Sequence, residues 1–170
     1  MNRRRAAFFV AIFVACVGCD QATKTIAHST LTGSPAISLL GDVVRLELTA
    51  NTGAFLSLGA GLPESVRRIV FQGLVPLTLI ALCILAGRSG ASPLALGLIA
   101  GGGLGNWIDR IANSGAVTDF VSLGAGPLRT GIFNLADLFI VAGVVLTMIG
   151  MERDRTDEAE DPEPAGPGPH

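Results

Sequence analysis

Four long apolar stretches alternate with polar segments along the chain. They cover residues 6–27, 69–86, 93–108 and 132–151, and the end of the first is more polar than the rest. A helix rises 1.5 Å per residue, so about 20 apolar residues cross the ~30 Å hydrocarbon core of a bilayer. The pattern therefore predicts an α-helical membrane protein with four transmembrane helices.

The positive charges beside these stretches predict the orientation of the chain. The arginines at 3–5 precede the first stretch and, by the positive-inside rule, favour a cytoplasmic N-terminus. Arg88, between the second and third stretches, would be cytoplasmic and agrees with this orientation. The arginines at 67–68 would lie outside and disagree with it, so we base the predicted orientation on the N-terminal cluster. Both termini are then cytoplasmic, and residues 28–65 and 109–131 lie outside.

The first outer segment contains a candidate strand. Residues 43–48, V-V-R-L-E-L, show partial alternation of apolar and polar side chains, which is typical of a short β-strand. Glycine and proline residues on either side predict loops.

The composition supports lipid as the main solvent. Of the residues, 49% are hydrophobic and 15% are charged, and the mean hydropathy is +0.56. Seven of the fourteen acidic residues follow Met151 in a proline- and glycine-rich segment. Residues 152–170 are therefore predicted to be a disordered acidic cytoplasmic tail after a membrane domain of residues 1–151. There is no basic patch with aromatic residues, so we expect no nucleic-acid partner.

Ionisable and amide side chains gather near the outer ends of the stretches. Such residues are costly inside a membrane and indicate function by default. Asp20 and Lys24, four apart, share a helix face, and so do Asn134 and Asp137, three apart. The polar residues that this topology brings to one depth are Asp20, Lys24, Asn106, Asp109, Arg110, Asp119, Asn134 and Asp137. We infer a single site.

The sequence argues against several kinds of chemistry at this site. A serine triad needs a histidine, and the two present are His28, near a helix end, and His170, the last residue. There is no HExxH motif for zinc, and no glycine loop with a lysine for phosphates. The three cysteines lie within apolar stretches, where a thiol is inert. We expect no metal and no cofactor.

Carboxylates remain as candidate catalytic groups. Two carboxylates held close in a poorly solvated place cannot both ionise easily, so one keeps its proton. One then acts as a base toward water and the other as an acid toward a carbonyl oxygen, which hydrolyses a peptide bond. Spacing alone leaves the pair open. Asp119 and Asp137 lie at the two ends of one outer connection, whereas Asp109 and Arg110 are predicted to form a structural ion pair.

Five short blocks carry a more specific signal. They read D-Q-A-T-K at 20–24, N-T-G-A at 51–54, G-N-W-I-D-R at 105–110, V-T-D-F at 117–120 and F-N-L-A-D at 133–137. In this order they resemble the D-Q-x-x-K, N-x-G-A, G-N-x-x-D-R, V-x-D-F and F-N-x-A-D motifs of lipoprotein signal peptidase, also called signal peptidase II. Each block alone is weak, but the five together, in this order and topology, make a specific resemblance.

The resemblance implies a fold and an activity. The fold would be four transmembrane helices with a small extracytoplasmic β-sheet and a short amphipathic segment, the last two supplied by residues 29–65. The activity would be that of an intramembrane aspartyl endopeptidase at the outer face of the bacterial cytoplasmic (inner) membrane. Its substrates would be prolipoproteins with a diacylglyceryl-modified cysteine, cut just before that cysteine. Its other partners would be membrane lipid and cyclic peptide inhibitors such as globomycin.

The resemblance also implies roles for single residues. Asp119 and Asp137 take the places of the catalytic pair. The residues that would bind substrate or support the site are Asn51, Gly53, Asn106, Asp109, Arg110, Asn134, Asp20 and Lys24. Two structural interpretations stay open. Asp137 can cap a helix, and Asp20 and Lys24 can form a salt bridge with no other role.

Three other classes of protein fit the sequence less well. A proton-coupled transporter needs ionisable groups along a path, and the inner halves of the last three stretches have none. A non-catalytic assembly protein would tolerate Asp119→Asn or Asp137→Asn. A lipoprotein cleaved before Cys19 would carry a redundant anchor, because three further apolar stretches follow.

Overall fold

The computed structural model of the protein describes residues 2–54, 58–88 and 91–160. This part of the chain folds into a helical bundle with a four-stranded antiparallel sheet at one end. The elements, in chain order, are α1 (Arg3–Leu31), β1 (Ile37–Leu39), β2 (Val44–Asn51), α2 (Glu64–Arg67), a π-helix (Arg68–Leu74), α3 (Val75–Arg88), α4 (Pro93–Ala112), β3 (Val117–Ala125), β4 (Leu128–Arg129) and α5 (Leu135–Glu160).

Helix α4 lies at the centre of the bundle and packs against α1, α3 and α5. Its glycines make this packing close. A Cβ atom added at Gly97 would lie 2.8 Å from Ile12, and one at Gly101 would lie 2.6 Å from Cys16, both on α1. On another side of α4, one at Gly102 would lie 2.5 Å from a backbone carbonyl of α5. Small residues thus let the backbones approach, as they do between membrane helices.

Within the described chain, two helices are long and apolar enough to cross a membrane by themselves. These are α1 and the Leu135–Glu152 part of α5. Helix α3 has only 14 residues, too few for the ~30 Å core, although it continues α2 and the π-helix without a break. Helix α4 has 20 residues, and its last turns carry Asp109 and Arg110. Helices occupy all four predicted stretches, but a membrane crossing by each of them stays a prediction.

The sheet has the order β1-β2-β3-β4, with every neighbouring pair antiparallel. The strand predicted at 43–48 is present as β2, which begins one residue later, at Val44, and continues to Asn51. The prediction that residues 29–65 supply the whole sheet is wrong, because β3 and β4 come from the second outer segment, 109–131. Strands β2 and β3 are far apart in sequence, and pairing between distant segments leaves little trace in a local pattern.

The C-terminal helix is longer than predicted. Helix α5 continues to Glu160, so residues 152–160 are helical where a disordered tail was predicted. This segment contains glutamate, arginine and alanine, which favour helices, and its first proline comes only at Pro162. Residues 161–170 of the predicted tail lie outside the described residues.

Candidate active site

Three charged side chains form a buried network where α1 meets α4. Lys24 Nζ lies 2.8 Å from Asp20 Oδ2 and 3.2 Å from Asp109 Oδ2. The three side chains are 6% exposed or less. Buried charges are tolerated only when they are closely paired, and the two acids flanking Lys24 provide that pairing. The salt bridge considered for Asp20 and Lys24 is therefore present, but it belongs to a larger network.

Asp109 pairs with Lys24 and not with Arg110. Neighbouring residues of a helix point about 100° apart and do not face each other, so the predicted ion pair between Asp109 and Arg110 is wrong. Asp109 Oδ2 also accepts a hydrogen bond from the backbone N–H of Thr118 at 2.8 Å, and its Oδ1 accepts one from Gln21 Nε2 at 3.2 Å. Asp109 thus joins α1 and α4 to the start of β3.

Asn106 connects the charged network to Asp137. Its Oδ1 accepts a hydrogen bond from Lys24 Nζ at 3.0 Å and another from Asn134 Nδ2 at 3.1 Å. Its Nδ2 donates to Asp137 Oδ1 at 2.9 Å. Asn106 and Asp137 are 8% and 6% exposed, so little water competes for these bonds.

Asp137 is held at the start of α5 by reciprocal hydrogen bonds with Asn134. The backbone N–H of Asp137 donates to Asn134 Oδ1 at 3.0 Å, and the backbone N–H of Asn134 donates to Asp137 Oδ2 at 3.3 Å. This is the pattern of a capping box, in which two side chains satisfy free N–H groups of the first helical turn. The capping interpretation of Asp137 therefore holds, and the cap also fixes where the carboxylate lies.

Asp119 of β3 is the second carboxylate, and it is 1% exposed. Its Oδ1 accepts a hydrogen bond from Asn134 Nδ2 at 2.6 Å, and its Oδ2 accepts one from Asn51 Nδ2 at 2.8 Å. Burial, which disfavours the charged form, raises the pKa of Asp119 to about 6. The two hydrogen bonds oppose this rise in pKa, and the nearby charge of Asp137 adds to it. The carboxyl group can therefore hold a proton near neutral pH.

Arg110 attaches the loop after β2 to the site. Its Nη2 donates to the carbonyl oxygen of Gly53 at 2.7 Å, while the N–H of Gly53 donates to Asn51 Oδ1 at 2.9 Å. The guanidinium lies over the ring of Phe71, 5.2 Å from its centroid, a favourable cation–π distance. Its buried Nε has no hydrogen-bond partner among the described residues.

A cleft of about 340 Å³ opens beside these residues between α3, α4 and α5. One end is polar, with Asn106, Arg110 and Asp137 in its lining. The apolar part of the lining includes Phe71, Val75, Leu79, Ile140 and Val141. Asp119 does not line this cleft, although it is bonded to the same asparagine as Asp137. An apolar cleft with a few convergent polar groups at one end is the usual form of a binding site for a largely apolar molecule.

Comparison with known proteins relates this geometry to one family. Residues 12–153, most of the chain, match the family described as signal peptidase (SPase) II. The chain belongs to the signal peptidase II family. Its members are peptidases, which agrees with a site built around two buried carboxylates.

Individual proteins similar to this chain support its assignment to the signal peptidase II family. A lipoprotein signal peptidase of Rhodococcus jostii (strain RHA1) is 36% identical over 167 residues, covering 91% of this chain and 79% of the relative. One from Treponema denticola is 34% identical over 173 residues, covering 94% and 100%. A bacterial membrane enzyme solved by the in meso method at 2.3 Å has a TM-score of 0.73 at 24% identity, with 92% of this chain and 94% of that chain covered. The last comparison shows the fold.

All ten site residues predicted from the signal peptidase II resemblance lie in one connected network of hydrogen bonds and ion pairs. Arg110 closes the network, because its Nη1 donates to the carbonyl oxygen of Asn106 at 3.2 Å. Gln21 and Thr118 also form hydrogen bonds with the network and were not predicted as site residues. Gln21 lies in the first of the five sequence blocks and Thr118 in the fourth. Phe71 had no signal in the sequence. Within the described residues, no group of His, Cys, Asp or Glu side chains could hold a metal ion.

Proposed function

We propose that this chain is an intramembrane aspartyl endopeptidase that removes signal peptides from diacylglyceryl-modified prolipoproteins, cutting before the lipidated cysteine. Signal peptide removal follows from membership of the signal peptidase II family and from relatives named lipoprotein signal peptidase. The catalytic pair would be Asp119 and Asp137. The substrate would reach it from the membrane, through the apolar cleft.

One observation carries the choice of catalytic pair. Asn134 is hydrogen-bonded to both carboxyl groups at once, because its Nδ2 donates to Asp119 Oδ1 and its backbone N–H donates to Asp137 Oδ2. Both carboxyl groups are almost completely buried. The other buried acids, Asp20 and Asp109, are ion-paired with Lys24 and are therefore less suited to exchange protons.

The pair would divide the chemistry between a base and an acid. One carboxylate takes a proton from water as the water oxygen bonds to the scissile carbonyl carbon, and the protonated partner donates its proton to the carbonyl oxygen. The first group then delivers its proton to the amide nitrogen as the C–N bond breaks, and the partner regains its proton from the collapsing diol. A carboxyl group with a pKa of about 6, as at Asp119, can change its protonation state near neutral pH.

We infer the topology from the arrangement of the ends of the helices. Lys24 lies near the end of α1, Asp109 near the end of α4 and Asp137 in the first turn of α5. The site is thus at the end of the bundle opposite the arginines at 3–5. With that cluster in the cytoplasm, four crossings of the bacterial inner membrane would leave both termini inside and the site at the outer face.

The test is a cleavage assay with purified protein in lipid and a diacylglyceryl-modified prolipoprotein, in which a gel resolves loss of the signal peptide. We expect Asp119→Asn and Asp137→Asn to lower kcat/KM by about 10³-fold or more, as loss of a catalytic acid or base does. Asp42→Asn is the matched control, since Asp42 is a partly exposed aspartate at the β1–β2 turn of the same sheet.

The outcomes separate the parts of the proposal. If a folded Asp119→Asn or Asp137→Asn variant keeps near-normal activity, the assigned pair is wrong. If the wild type cleaves the unmodified prolipoprotein as fast as the modified one, recognition of the lipidated cysteine is wrong. If the folded wild type cleaves neither substrate, the proposed peptidase reaction is wrong.

A further inference from the structure

The helical segment from α2 to α3 changes its winding just before a proline. The π-helix ends at Leu74, where the N–H of Val75 donates to the carbonyl oxygen of Val70, and Pro76 follows in the first turn of α3. In a regular α-helix, residue 76 would donate to the carbonyl oxygen of Gln72. Proline has no N–H, and its ring clashes with that carbonyl group. The carbonyl oxygen of Gln72 is therefore available to a donor from another helix.

The indole of Trp107 on α4 is such a donor. Trp107 Nε1 donates to the carbonyl oxygen of Gln72 at 3.0 Å, and an indole N–H can only donate. The π-helix returns a hydrogen bond to the next turn of α4, because Gln72 Nε2 donates to the carbonyl oxygen of Arg110 at 3.3 Å. These two hydrogen bonds join the π-helix to the last turns of α4.

Apolar clefts on both sides of α3 make this connection important. The active-site cleft of about 340 Å³ is bordered by α5, and a second cleft of about 720 Å³ is bordered by α1. Pro76 and Leu79 of α3 and Gly103 and Trp107 of α4 line both clefts. The contact between α3 and α4 is thus a narrow line of mostly apolar groups. Apolar contacts are not directional, so the hydrogen bonds are better suited to fix how the helices are aligned.

The alignment of the π-helix determines where Phe71 lies. Successive residues of a helix point about 100° apart, so a shift of one residue would turn the ring of Phe71 away from Arg110. In the observed alignment the Arg110 guanidinium lies over this ring, 5.2 Å from its centroid. Arg110 also donates to the carbonyl oxygen of Gly53 at 2.7 Å. The N–H of Gly53 donates to Asn51, whose Nδ2 donates to Asp119.

We propose that Trp107 is a positioning residue for the peptidase reaction. Its indole N–H holds the π-helix in the alignment that places Phe71 against Arg110, and Arg110 then holds the loop between Asn51 and Gly53 beside Asp119. Trp107 acts through these contacts, because its polar atom is directed to Gln72 and not to either catalytic carboxyl group. The inference rests on the proposed peptidase function.

The test removes the indole N–H and keeps the shape of the ring. The chain has one tryptophan, so biosynthetic incorporation of benzothienylalanine, in which sulfur replaces the indole N–H, changes position 107 alone. We expect kcat for a diacylglyceryl-modified prolipoprotein to fall ~3–10-fold, the effect of one hydrogen bond. KM should not change, because the apolar lining of the cleft is kept. Phe13→Leu is the control, since it alters an aromatic ring of the second cleft and should leave kcat and KM unchanged.

A double-mutant cycle separates positioning from general stabilisation. Phe71→Leu removes the ring that contacts the Arg110 guanidinium. If Trp107 acts through this ring, loss of the indole N–H should lower kcat in the wild-type background and change it little in the Phe71→Leu background. Effects of independent sites add. A role in stability alone therefore predicts the same fold-change in kcat in both backgrounds.

The hydrogen bond itself can be measured without substrate. In isotope-labelled protein in lipid, NMR should record one indole N–H resonance, displaced downfield from that of a free indole by the bond to Gln72. An undisplaced resonance, a wild-type kcat for the sulfur analogue, or equal fold-changes in the two backgrounds would each overturn the proposal. If the folded wild type shows the displaced resonance but cleaves no prolipoprotein, the proposed peptidase function is wrong and the positioning role fails with it.

Discussion

The ammonium group of Lys24 determines which end of the Asn106 amide faces Asp137. Lys24 Nζ lies 3.0 Å from Asn106 Oδ1, and an ammonium group can only donate hydrogen bonds. Asn134 Nδ2 points to the same oxygen at 3.1 Å. With its oxygen between two donors, Asn106 turns its Nδ2 toward Asp137 Oδ1, 2.9 Å away. A residue of α1 thus influences a proposed catalytic carboxyl group that it does not touch.

The first prediction concerns this donor. Asn106→Ala removes the hydrogen bond to Asp137, and a bond to a charged group contributes about 1.5–3 kcal/mol. We expect kcat to fall about 10–100-fold with little change in KM. Asn113→Ala, at the exposed C-cap of the same helix, should leave kcat unchanged. Equal activity of the two variants would show that the Asn106 amide plays no part in the reaction.

The second prediction concerns the pH dependence of cleavage. The hydrogen bond from Asn51 favours the charged form of Asp119 and opposes the rise of its pKa to about 6. Asn51→Ala should therefore raise the pKa of Asp119 further, and the inflection of kcat/KM near pH 6 should move to higher pH. The measurement is the pH profile of kcat/KM for wild type and variant. An inflection that stays in place, or moves to lower pH, would contradict the assignment of this ionisation to Asp119.

The third prediction concerns stability. The pKa of Asp119 is about 6 in the folded protein and about 3.9 in an unfolded chain. At pH values between these two pKa values, Asp119 keeps its proton in the folded protein and loses it in the unfolded chain. The free energy of unfolding therefore falls as the pH rises through this window, by up to about 3 kcal/mol. Asp119→Asn lacks this ionisation. The Tm of wild type minus that of the variant should become smaller from pH 4 to pH 7, and a constant difference would argue against a raised pKa.

Local patterns in the sequence were sufficient to predict helices in the four apolar stretches and most of the polar residues of the site, whereas Asn51 and Gly53 were predicted only from the resemblance to the family. Long apolar stretches mark helices in a membrane protein because the solvent around them is apolar. Polar residues in those stretches are costly, so Asp20, Lys24 and Asn106 indicated a site before any contact was known. The capping role of Asp137 was also apparent from its place at a helix start.

Contacts between distant segments could not be predicted in the same way. Strand β3 pairs with β2, and the sequence predicts no strand in residues 109–131 because their pairing depends on a partner about seventy residues away. The partner of Asp109 was misassigned for a similar reason. Arg110 is next to it in sequence, whereas Lys24 approaches it only when α1 and α4 pack together. Phe71 contacts Arg110 from the π-helix, an element that no pattern in the sequence predicts.

The last prediction concerns that packing of α1 against α4. A Cβ atom added at Gly105 would lie 2.5 Å from Asp20 Oδ2. Asp20 cannot easily move, because it also accepts a hydrogen bond from the N–H of Ala136 at 3.0 Å and pairs with Lys24. Gly105→Ala should therefore destabilise the protein by about 1–3 kcal/mol, the usual cost of overpacking.

Gly18→Ala is the control for this prediction, because Gly18 lies in α1 with nothing within 4 Å of an added Cβ atom. It should be neutral or stabilising by about 0.5–1 kcal/mol, since alanine favours a helix more than glycine does. Thermal unfolding of both variants in the same detergent measures the difference. If Gly105→Ala were as stable as Gly18→Ala, Asp20 would have room to move away from the added Cβ atom. Close packing of α1 against α4 at Gly105 would then not explain why Lys24 lies next to Asn106.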